Sequence, residues 1–161
     1  MCTRDHALTD IQSTNLGEME REWLHLLRLH CISFEHNRAD GLDRAIDHAE
    51  ARYGADDGPA IASRIAVLIR AMRAERRGGF GYLSPFCPNC RRNVTDDECQ
   101  LLTLMQAGYR GIPHEIEEAA AGVARRAEAP VLTAAAARFG KAVAAALCPG
   151  RAPPPVRATL H

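Results

Sequence analysis

Residues 84–99, Ser-Pro-Phe-Cys-Pro-Asn-Cys-Arg-Arg-Asn-Val-Thr-Asp-Asp-Glu-Cys, are the one long interior stretch without a helical pattern, and they hold three of the six cysteines. The sequence on either side is written at helical intervals, so a fold for this chain has to carry the segment as an irregular loop between helices. Cys87 and Cys90 bracket Pro88 and Asn89, a spacing that lets two sulfurs face one point. Thr95 and Glu98 then have the S/T-x-x-E spacing that opens a helix, which places Cys99 in that helix's first turn.

Six helices are predicted around this loop. Asn15 and Glu18 have the spacing of a cap and its third residue for a first helix over 16–36, with Leu16, Met19, Trp23, Leu26, Leu27 and Phe34 at helical intervals. Asp40 opens a second, with Leu42, Ile46, Ala49 and Tyr53 on one stripe and Gly54 as its stop. Pro59 belongs in the first turn of a third, which runs to about 77 and buries Ile61, Ile65, Leu68 and Met72. Val67 and Ile69 widen that face, so this helix is expected near the centre. After the loop, a fourth spans 96–110, Pro113 opens a fifth and Pro130 a sixth. Phe80, Tyr82 and Phe86 are expected to dock the loop on the core. The predicted fold class is all-α, a bundle of about six helices with no convincing strand. Residues 1–14 read as a polar lead-in, 15–148 as one helical domain with the cysteine loop at 80–95, and 149–161 as a flexible proline-rich tail.

Composition narrows the function classes. The formal net charge is zero, so bulk charge does not drive this chain onto nucleic acid. The charge is uneven, however. Residues 1–60 carry twelve Asp and Glu against six basic residues, while 61–92 carry seven Arg against one Glu. The first residues have no apolar export core, and no run approaches the length of a membrane span, so neither secretion nor a membrane is expected. Without an export signal, six cysteines point to a reducing cytoplasm, where C-x-x-C stands for metal or redox chemistry rather than disulfides.

The Cys87–Cys90 loop resembles zinc knuckles, in which two thiolates share an ion while loop N–H groups donate to sulfur. A tetrahedral site needs four ligands. Cys99 is the expected third, because a helix N-terminus favours a thiolate. The fourth is left among Cys31, His36 and Cys148, with His30 and His114 also possible, and Asp96 would give a mixed oxygen–sulfur set. An iron–sulfur cluster would use the same thiolates. Cys-Pro-Asn-Cys also resembles the glutaredoxin-type motif, but no strand precedes it and the next helix begins too late.

Arg70, Arg73, Arg76, Arg77, Arg91 and Arg92 flank the loop. They read as a solvated helix end or, in the sharper alternative, as a phosphate-contacting patch in which Arg70, Arg73, Arg77, Arg91 and Arg92 meet nucleic acid. His30 is expected to border the core near Phe34. No hydrolase, metalloprotease, phosphate-loop or dinucleotide motif is present. The expected function is therefore non-enzymatic: a small regulatory or adaptor protein with a structural zinc that binds a protein partner, with a thiol-redox or iron–sulfur protein as the alternative.

Overall fold

A computed structural model describes residues 8–37 and 39–148. It is mostly helical: α1 (Glu18–His36), α2 (Asp40–Tyr53), α3 (Asp57–Glu75), α4 (Asp96–Arg110), α5 (Pro113–Ala124) and α6 (Pro130–Leu147) pack together. The anticipated tail at 149–161 lies outside the described residues. Two short strands, β1 (Leu8–Asp10) and β2 (Asn93–Thr95), pair antiparallel with Leu8 opposite Thr95 and Asp10 opposite Asn93. The sequence reading missed this ribbon because three-residue strands are too short to show an alternating pattern. It ties the polar lead-in to the end of the cysteine loop.

The helix boundaries follow their local chemistry. Thr95 accepts from the Glu98 N–H and Glu98 accepts from the Thr95 N–H, completing the expected capping box. Pro113 and Pro130 stand in the first turns of α5 and α6. Asn15 does not cap α1, which starts two residues later than the expected 16, with Gly17 in the cap position. The α2 stripe is also shifted. Gly41, Ala45 and Ala49 face the core while Leu42 is exposed, because small residues let α2 lie close against its neighbours.

Helix α3 is central, packing on α1, α2 and α6, and α4 packs on α1, α5 and α6. Trp23 of α1 is fully buried, edge-on to Phe139 of α6 at 5.1 Å and to Tyr109 of α4 at 6.0 Å. Helices α4 and α6 touch backbone to backbone. A Cβ on Gly140 would sit 1.8 Å from the carbonyl oxygen of Gly108, and one on Gly108 would sit 2.4 Å from that of Ala136. By length and composition α6, 18 residues with a mean hydropathy of 1.2, is long and apolar enough to cross a membrane, which the sequence reading did not anticipate. Its Leu132, Ala135, Ala136, Phe139, Gly140 and Val143 are buried in this structure.

His30 is 1% exposed, at the core rather than at its border, and its Nε2 has no partner among the described residues. Burial pulls its pKa down to about 4, against a hydrogen bond with the Ala62 backbone. A depressed histidine pKa favours the folded state fully above the unfolded value near 6.5, and that stability is lost as pH falls from there towards 4. Chemical denaturation should therefore show a loss of about 2 kcal/mol between about pH 7.5 and about pH 5. His30→Leu should flatten most of that slope. His25, half-exposed and also lowered, contributes a smaller part of the same sign.

Candidate functional site

Two buried arginines fix the shape of the segment between α3 and α4. Arg76, just past the end of α3, donates through Nε to the Gly79 carbonyl (2.9 Å), through Nη1 to that of Val123 (2.5 Å) and through Nη2 to Asp97 (2.5 Å). Asp97 also accepts from the Gly81 N–H (2.8 Å) and pairs with Arg125 (3.1 Å). Burial alone would raise the Asp97 pKa, but the Gly81 N–H and the two guanidinium groups outweigh it and hold the carboxyl below its ordinary range. Arg76 therefore does not belong to a solvated basic helix end, as the sequence reading had it. It is the inner half of a clamp.

The second clamp is Arg28 with Glu98. Arg28 is 3% exposed and Glu98 is fully buried. Their contact is two-pronged, Nε to Oε1 at 2.7 Å and Nη2 to Oε2 at 2.9 Å. The remaining donors of Arg28 reach the carbonyls of Cys90 (3.3 Å) and Asn93 (2.6 Å). Glu98 also accepts from the Leu83 N–H at 3.0 Å. One guanidinium on α1 thus holds both ends of the 3-10 turn Cys90–Arg92, and one carboxylate on α4 holds the approach to it.

Cys87 and Cys90 lie near each other within this frame. The Cys90 N–H donates to Cys87 Sγ at 3.4 Å, the Arg91 N–H to the Cys87 carbonyl at 3.1 Å, and the Cys87 N–H to the Ser84 carbonyl at 3.4 Å. A backbone donor is thus aimed at the first sulfur of the pair. Cys90 is buried and Cys87 half-buried.

The structure does not bring the other expected ligands to this pair. Among the described residues, no three His, Cys, Asp or Glu side chains stand where one ion could hold them. Cys99 is half-buried on α4, packed against the core. Its thiol pKa is raised, first by burial and then by the charges of Asp96 and Glu98, the opposite of the helix-end thiolate anticipated for it. Cys31 is buried on α1, and desolvation drives its pKa up strongly. His36 and Cys148 are exposed at the ends of α1 and α6, and His114 is exposed in the first turn of α5. Phe80 and Tyr82 pack on the core as expected, whereas Phe86 is 48% exposed with the Arg44 guanidinium over its ring.

The arginines separate as well. Arg91 and Arg92 line a cleft of about 750 Å³ between α1, α2 and the loop. Arg73 lies over Phe34 in a different cleft, beside Met72 and Phe80. Arg70 and Arg77 are exposed. In the first cleft, His48 pairs with Glu22, and the His25 and His48 rings stand 4.6 Å apart. The sequence does not bring His25 and His48 together, since their approach depends on how α1 and α2 pack. No family model, no curated protein and no solved structure matches this chain.

Proposed function

We propose that this protein is a metal-stabilised binding module, in which Cys87 and Cys90 hold a structural zinc ion and the molecule acts by docking a protein partner rather than by catalysis. The observation that supports the zinc most directly is the Cys90 N–H aimed at Cys87 Sγ in a turn anchored at both ends by Arg28. A closed tetrahedron takes two more ligands. The donors that the sequence offers outside the described residues include Cys2 and His6. Among the described residues no third donor joins the Cys87–Cys90 pair, so the two remaining ligands stay unassigned. Phe86, exposed beneath Arg44 on the same loop, suits a docking anchor, since aromatic and arginine side chains dominate binding energy at interfaces.

Elemental analysis of the purified full chain tests the metal. About one zinc per chain is expected, the stoichiometry of a closed structural site. It should vanish in Cys87→Ser with Cys90→Ser and persist in Cys99→Ser. Chelation should lower the melting temperature by about 10 °C, because zinc bound to the folded state alone adds its binding energy to stability. A metal-free protein that melts with the untreated one would remove the proposal. Visible absorbance that follows Cys87 and Cys90 would replace zinc by an iron–sulfur cluster.

A further inference from the structure

The cleft between α1, α2 and the cysteine loop holds more positive charge than its own acids neutralise. Its two carboxylates are engaged: Glu22 with His48, and Asp10 as acceptor of the Gln12 N–H at 2.8 Å. Arg28 is spent on Glu98. The other three arginines, Arg21, Arg91 and Arg92, form no ion pair with a described residue. Arg21 and Arg91 each use Nε on a backbone carbonyl, Leu16 at 3.2 Å and Pro85 at 2.7 Å. Those bonds orient two guanidinium groups while their Nη donors keep no carboxylate. Arg92 is exposed at the edge of the same cleft.

The histidines complete the lining. The Glu22 carboxylate faces His48 Nε2, which leaves Nδ1 as the second hydrogen-bonding atom of that ring. Burial lowers the His25 pKa, and the charges of His48, Arg91 and Arg28 lower it further against the pull of Glu22. A cation-rich concave wall focuses the field on whatever anion enters. Its volume is that of a small-molecule site. Against Glu22 and Asp10 the three guanidinium groups still leave the wall net positive, and their forked donors match the many acceptor oxygens of a phosphate.

From this geometry we infer that the cleft lined by Arg21, Arg91, Arg92, His25 and His48 is a binding site for a small molecule carrying a dianionic phosphate group. The site is built from the loop, α1 and α2, and it does not depend on which metal the cysteines hold.

Titration of the full chain with inorganic phosphate and with adenosine 5′-monophosphate, read by calorimetry and by the imidazole proton resonances, tests the site. Saturable binding is expected, with the His25 and His48 resonances shifting along the same isotherm. Arg92→Ala should weaken it about tenfold, the loss of one charge-assisted contact. The Arg92 side chain makes no hydrogen bond or ion pair with a described residue, so this variant leaves the fold intact. His48→Gln should also weaken binding, and Arg126→Ala, outside the cleft, should not. Binding of succinate in preference to either phosphate would overturn the ligand class. So would a single-stranded oligonucleotide whose affinity falls as much with Arg73→Ala as with Arg92→Ala, which would make the surface a nucleic-acid interface. No saturable binding, or binding indifferent to Arg92 and His48, would remove the site.

Discussion

Gly140→Ala should destabilise the protein by about 3–5 kcal/mol, well beyond the ordinary cost of one added methyl group in a core. The new Cβ would meet the Gly108 carbonyl at 1.8 Å and 2.1 Å and the Tyr109 nitrogen at 2.6 Å, all of them backbone atoms of α4. Backbone in a helix does not swing aside as a side chain does. Relief would require α4 and α6 to separate by more than an ångström, which opens the contact where Trp23 meets Phe139 and Tyr109. The better helix propensity of alanine returns only about 1 kcal/mol. Gly122, in α5, has nothing within 4 Å of its virtual Cβ and is the matched control. Gly122→Ala should stabilise by about 0.5–1 kcal/mol. Urea denaturation of the two variants beside the parent decides the matter. A Gly140→Ala protein with the parent's midpoint would mean that α4 and α6 do not cross where the structure puts them.

The second large effect is expected at Glu98. Glu98→Gln keeps the shape but removes the charge opposite a buried Arg28, and its amide presents a donor where only donors wait: Arg28, the Leu83 N–H and the Thr95 N–H. Breaking a buried pair from one side costs about 3–5 kcal/mol. Arg28→Met should cost a comparable amount, because it strands Glu98 and also releases the Cys90 and Asn93 carbonyls. The double variant Arg28→Met with Glu98→Leu should be less destabilised than the sum of the two, since no buried charge is left alone. Additive losses in a denaturation cycle would show that the two side chains act separately. The loop gives an independent reading: Arg28→Met should loosen Cys87 and Cys90, seen as faster modification by a thiol reagent.

The helical half of this architecture was legible in the sequence because it is written in local terms. Capping at Thr95 and Glu98, prolines at 113 and 130 and the glycine after α2 each act within a turn of the residue concerned, and each helix start or stop they marked is present. The site was less legible because its parts are distant in sequence. Arg28 did leave a trace, a charge inside the apolar run Leu26-Leu27-Arg28-Leu29, and a charge there calls for a buried partner. Glu98 was read only as the capping-box partner of Thr95 and Asp97 was not singled out, since nothing local separates a carboxylate that faces solvent from one that faces an arginine on another helix. Cys99 was drawn to the pair because a helix N-terminus favours a thiolate. Spacing along a helix start does not say which way the side chain turns, and here it turns into the core's edge.

The Arg28 clamp also bears on how the chain is made. Its carbonyl and carboxylate partners lie 62, 65 and 70 residues further along the polypeptide. At ribosomal speeds of about 5–20 residues per second, α1 emerges roughly 4–14 s before Glu98 exists to meet it. In that interval the first helix carries an unneutralised guanidinium amid exposed leucines, which disfavours premature collapse of its apolar face onto the wrong neighbour.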